Sequence, residues 1–177
     1  MATPLGIDPT WALAGPINLA AGSGGNGPAV AIPIPIATVM LLDTLLLQNR
    51  DTNNLRTAEW RLYTEPLTGG STLSEIANAN GTFSFTASAV SLRTSQPATP
   101  PITLPAGLVW CVIRNTSTSY AFAIGSQASG ALATNGAVTK SIAALSSTLD
   151  MSTGWSKSTQ NAGIALLGRV LGATTAW

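Results

Sequence analysis

The sequence contains no histidine, one cysteine and few charges. Lys and Arg number 8 and Asp and Glu 7, so 8% of residues are charged, against about 25% in an ordinary soluble domain. Each shortage excludes something. Without histidine there is no imidazole base and no His-ligated metal. With Cys111 as the lone thiol, no intrachain disulfide can form. The basic residues are scattered from Arg50 to Arg169 and build no patch that would neutralise a nucleic-acid backbone. The expectation is a chain with no nucleic-acid partner, no metal and no cofactor.

Export and membrane insertion are not expected either. A secretory signal needs basic residues ahead of an apolar stretch. Residues 1–20 hold no Lys or Arg and carry Asp8. The longest apolar run, residues 29–47, has the length of a membrane span, but Pro33, Pro35 and Asp43 interrupt it. Two consecutive strands explain it better. Without export, Cys111 is expected to stay reduced.

What the chain does have is apolar residues, 45% of the total, and a mean hydropathy of +0.31. Its 177 residues suit one domain with a substantial core. Residues 1–28 read as an extended N-terminal arm. Pro4, Pro9, Pro16 and Pro28 break it up, and residues 22–27 are rich in glycine. Trp11, Leu13 and Ile17 give that arm apolar anchors for docking. Residues 29–177 read as a β-sandwich domain with a short tail ending at Trp177.

From Val30 the apolar period becomes two. Val30, Ile32, Ile34 and Ile36 alternate with Ala31, Pro33, Pro35 and Ala37, and the prolines predict an edge or bulged strand. Residues 38–48 form a second strand candidate. A polar cluster at 50–54 then leads into TAEWRLYT, residues 57–64, and the two strands are expected to form a hairpin. Ala58, Trp60 and Leu62 share one face; Glu59, Arg61 and Tyr63 share the other. Thr72 and Glu75 have capping-box spacing, which predicts a helical turn over 74–79. Alternation resumes over 82–93 with Phe83 and Phe85 inward. LVWCVIRN, residues 108–115, is apolar on both faces, as a central strand should be. A polar turn at 116–119 and a return over 120–124 predict a second hairpin. Residues 125–136 read as loop, 137–145 as strand or short helix, 149–161 as polar loop and 163–171 as the final strand. The sum is an all-β, jelly-roll-like antiparallel β-sandwich of about eight strands.

The side chains that carry chemistry are sparse. A serine nucleophile needs a base, and Lys140 and Lys157 show no Ser-x-x-Lys spacing. Glu59 and Glu65 flank Arg61, and Asp43 and Asp51 flank Arg50, a pattern suited to cross-strand ion pairs. The glycine run lacks Gly-Lys-Ser/Thr and ends in Pro28, so it reads as a linker. Cys111 reads as a small core residue. No enzyme is expected. Trp60 and Trp110 lie mid-strand and read as core. Trp11, Trp155 and Trp177 lie in arm, loop and tail, where an exposed aromatic can anchor a subunit contact. Trp155 suits sugar stacking equally well.

The order IPIPIAT, LLDTLLLQNRDTNN, RTAEWRLYTE and LPAGLVWCVIRNTSTSYAFAIG resembles small structural proteins of tailed bacteriophages over about residues 32–125. It is most similar to the head-decoration, or cement, proteins, and next to tail-fibre and receptor-binding sandwiches. The resemblance implies a virion location on the outer surface of the capsid, after synthesis in the host cytoplasm. It implies a major capsid protein as partner and a homotrimer. The tail-fibre alternative implies receptor or carbohydrate binding. No site residue is carried over from it.

Overall fold

The computed structural model describes residues 14–19, 27–49, 56–66, 69–85, 91–116, 122–127, 137–157, 161–162 and 164–170. They form β1 (Ala14–Leu19), β2 (Gly27–Ile36), β3 (Met40–Asn49), β4 (Arg56–Thr64), β5 (Thr72–Phe85), β6 (Ser91–Ser95) and β7 (Ile102–Leu104). They continue as β8 (Gly107–Asn115), β9 (Phe122–Gln127), β10 (Val138–Ile142), β11 (Thr148–Asp150), β12 (Ser156–Lys157), β13 (Asn161–Ala162) and β14 (Ile164–Val170). The strands make two seven-stranded antiparallel sheets. One runs β1-β9-β3-β14, with β6 and β7 also on β3 and β13 on β9. The other runs β11-β5-β4-β8-β2-β10-β12.

The core lies between the sheets and follows from the period-two pattern. In the second sheet, Trp60 sits opposite Ile113, which sits opposite Val30; Leu62 likewise meets Cys111, and Cys111 meets Ile32. Met40, Leu42, Leu45, Ile102, Leu104 and Leu166 of the first sheet close over them. Each such side chain, fully buried, contributes about 1.5–3 kcal/mol. The Trp60 indole N–H still needs an acceptor. It donates to Ser95 Oγ at 2.7 Å, and Ser95 Oγ donates to the Thr82 carbonyl at 2.7 Å. Ser95 lies in β6, so this chain of bonds ties the sheets together across the core.

Two irregularities are explained by single residues. Leu42 and Leu45 are both fully buried in the same core although three positions apart, which strict alternation forbids. The β3–β14 register skips at Asp43, because Leu167 faces Thr44 and Gly168 faces Leu42. That bulge switches which residues face inward and makes LLDTLLL a usable strand. In β2, β10 pairs only with Gly27–Ala31. Pro33 and Pro35 therefore lie where β2 has β8 on one side and no strand on the other among the described residues, as an edge reading expects.

Several local expectations are corrected. β3 and β4 are not a hairpin, since they belong to different sheets, and neither are β8 and β9. Hairpin loops usually have about two to five residues. The connections after Asn49 and Asn115 are longer and serve as corners between layers. The chain also changes sheet after β1, β2, β5, β7, β9 and β12, as a jelly-roll-like sandwich requires. Residues 74–79 belong to β5, not to a helix. Ser74 and Glu75 pair with β4, and Ser74 also with β11. Residues 76–79 bulge out, with Asn78 at a φ of 62°, before pairing with β4 resumes at Asn80, so the flanking ladders outweigh the local capping signal. The run 82–93 is divided, with β5 ending at Phe85 and β6 starting in the other sheet. Phe83 is core, while the Phe85 side chain lies outside the described residues. Within the segment read as an arm, Ala14–Leu19 is a strand paired with β9. The described residues form fourteen strands, where about eight were expected: β1 lies in the segment read as an arm, the run 82–93 is split to give β6, β7 is an added short strand, and β11, β12 and β13 fall where loop was expected.

Gly168 sits beside the bulge. A Cβ there would stand 2.0 Å from the Leu41 carbonyl oxygen and 2.9 Å from its carbon. Backbone cannot swing aside as a side chain can. Gly168→Ala is expected to destabilise the fold by about 1–3 kcal/mol, read as a lower urea midpoint with unchanged slope.

Candidate functional site

β8 is central and apolar on both sides, so the second sheet has two faces to cover. Val109, Cys111 and Ile113 face the core; Trp110 and Val112 face outward. The outward face can be followed row by row from the register. Glu59, Arg114 and Ala29 make one row, Arg61, Val112 and Ala31 the next, and Tyr63, Trp110 and Pro33 the third. Leu108 and Pro35 make the last, with Glu65 following Thr64 at the end of β4.

Residues 143–155 cover the first three rows as a strap. The chain leaves β10 beside β2, crosses to β11 beside β5, and returns to β12 beside β10. Leu145 and Leu149 are buried beneath it against Ala29, Ala31, Tyr63, Leu73 and Val112, while Met151 and Trp155 pack at its border. The small alanines leave room for it. Hydrogen bonds then fix its path. The Leu145 N–H donates to Glu59 Oε1 at 3.2 Å and the Tyr63 hydroxyl to the Ser146 carbonyl at 2.8 Å. The Glu75 N–H donates to the Ser147 carbonyl at 2.8 Å and the Met151 N–H to the Ser71 carbonyl at 2.7 Å.

The charges under and beside the strap are paired. Arg114 bonds Glu59 and Arg61 bonds Glu75, both partly buried. Asn80 also donates to Glu75, at 2.8 Å. Burial pushes the Tyr63 hydroxyl far above its usual range, so it remains a donor at neutral pH. The Cys111 thiol is raised by burial too and is chemically quiet. At the outer bend, the Ser152 hydroxyl and then the Ser152 N–H hold the Asp150 carboxyl below its usual range. No cluster of metal-ligating side chains occurs among the described residues, and no helix long and apolar enough to cross a membrane occurs among them.

The last row is not covered by any of the described residues. A groove of about 400 Å³ opens there, lined in part by Glu65, Pro66, Pro105, Gly107 and Leu108. Leu108 is 37% exposed. The Trp110 indole N–H donates to Glu65 Oε1 at 2.9 Å, which fixes the carboxylate at the groove.

Of the residues singled out from sequence, Trp155 is placed in the strap. Its ring is half-buried, its N–H donates to the Asp150 carbonyl at 3.0 Å, and Lys140 Nζ stands 5.8 Å from the ring centre. Ile17 lies in β1 opposite Ile124, and its side chain lies outside the described residues. Trp11, Leu13 and Trp177 also lie outside them. Trp110, read as core, is half-buried at the edge of the strap. Glu59 and Arg61 do form cross-strand ion pairs, with Arg114 and Glu75; Glu65 forms none among the described residues, and Arg50 and Asp51 lie outside them. The strap and the groove escaped sequence reading. Their signals were the spaced Leu145, Leu149, Met151 and Trp155, and Pro66 and Pro105, which line the groove after β4 and before β8.

Removing the Tyr63 hydroxyl tests how firmly the strap is held. Tyr63→Phe is expected to cost about 1 kcal/mol in a denaturant titration, since the bond to Ser146 is partly buried and its loss leaves a carbonyl that water can reach. Tyr63→Ala should cost several times more, because it also empties packed volume. Compared with protein-family models, curated proteins and solved structures, the chain matches none.

Proposed function

We propose that the chain is a non-catalytic structural protein of a virion, which binds and stabilises a phage capsid lattice as a decoration protein on the capsid's outer surface. Its partners would be the major capsid protein and copies of itself in a homotrimer. The observation that carries most weight is the uncovered apolar end of the sandwich. Val39 and Leu108 are the large apolar side chains most exposed among the described residues, and Pro35, Ala37, Pro105 and Ala106 are exposed near them. On a surface with so few charges, such an end favours association. The strap is consistent with the same reading, because the Glu59 carboxylate beneath it is engaged by Arg114 and by the Leu145 N–H.

The second reading is a tail-fibre or receptor-binding module that takes carbohydrate. It rests on Trp155. The packed ring and the bonded indole N–H leave that residue less free to stack on a sugar, which favours the capsid reading.

Because Ala14–Leu19 is a strand of the first sheet, a truncation that tests the arm must stop at residue 13. Under this proposal the full chain co-sediments with shells of its major capsid protein, and the chain lacking residues 1–13 stays folded but no longer does so. Truncated protein that decorates shells at full affinity would remove Trp11 and Leu13 as anchors. In light scattering the free protein should give three times the 18.0 kDa of one chain. A monodisperse monomer would contradict the trimer.

A further inference from the structure

The outward face of the second sheet bears three carboxylates, and two of them have a guanidinium. Glu59 is paired with Arg114 and Glu75 with Arg61. Glu65, at the end of β4, has no Lys or Arg partner among the described residues. Its Oε1 accepts the Trp110 indole N–H at 2.9 Å, a bond that orients the carboxylate without neutralising it. Beside it the groove of about 400 Å³ offers apolar walls at Pro66, Pro105 and Leu108.

We propose that this groove is a docking site for an arginine side chain presented by a partner protein. The guanidinium would pair with Glu65, and the methylene stem would lie along Leu108 and the two prolines. The chemistry favours this occupant over others. A fixed carboxylate at the mouth of an apolar cleft repels anions and asks for a cation. Long basic side chains carry an apolar stem that can cover such walls while the charged end stays wet. Arginine suits the site better than lysine, because its planar fork can bind a carboxylate that already holds one hydrogen bond. The strap stops one row short of Glu65, and none of the described residues closes over the groove. The proposal does not depend on the capsid reading, since any partner protein with an exposed arginine would satisfy it.

The test is a titration of the isotopically labelled full chain with N-acetyl-arginine amide, followed by NMR. Saturable shifts are expected at the Trp110 indole N–H and at the amides of Glu65, Gly107 and Leu108. N-acetyl-citrulline amide, which has the same shape without the charge, should bind at least about tenfold more weakly. Glu65→Gln should weaken arginine binding by a similar factor and leave the rest of the spectrum in place, because Glu65 is exposed. Leu108→Ala should weaken it through the stem, with the salt dependence retained. Equal binding of the citrulline compound, equal binding to Glu65→Gln, or an absence of saturable shifts at these residues would each overturn the proposal. Saturation by a neutral oligosaccharide at the same residues, with none by arginine amide, would overturn it in favour of a sugar site.

Discussion

β8 is apolar on both faces, and the rest of the second sheet is arranged around that constraint. One side is covered by the first sheet, as in any sandwich. The other would expose Trp110 and Val112 to water. The chain covers them with its own residues 143–155, over neighbours kept small at Ala29 and Ala31. Such a cover brings backbone groups onto an apolar surface, where each needs a partner. Glu59, Tyr63 and Glu75 supply these partners, and they do so from strands already fixed in the sheet. The Glu59 carboxylate therefore does two things: it pairs with Arg114 near a partly dry surface, and it holds the strap through the Leu145 N–H.

This arrangement also explains where the molecule remains open. The strap finishes at the row of Tyr63, Trp110 and Pro33. Beyond it the same face continues as Glu65, Leu108 and Pro35, with none of the described residues over them. Val39 and Leu108, the large apolar side chains most exposed among the described residues, lie at that end of the sandwich.

The all-β class and the inward faces were legible because they depend only on period two. Val30, Ile32, Trp60, Leu62, Cys111 and Ile113 all lie where alternation puts them. The prolines of β2 also reported correctly, since a missing N–H has the same consequence in any fold. Connectivity was less accessible. Residues such as Asn49-to-Arg56 linkers look alike whether they turn a hairpin or cross between sheets, because the turn residues satisfy local needs in both cases. Residues 74–79 failed as a helix because cross-strand pairing is invisible in a short window. The strap was hidden for a related reason. Leu145, Leu149 and Met151 follow no period, since they are spaced to meet a surface built by distant strands. Glu65 looked like one more member of a charge pair, and only the register shows that Arg61 and Arg114 are taken by other carboxylates.

The claim that the strap belongs to the core, not to the loops, can be measured directly by native-state hydrogen exchange. The amides of Leu145, Glu75 and Met151 report the strap, and those of Cys111 and Val112 report β8. If the strap seals the sheet, both sets exchange only through global unfolding and show the same opening free energy and the same denaturant dependence. Strap amides that exchange through a separate, low-energy opening, while β8 keeps its full protection, would contradict the account.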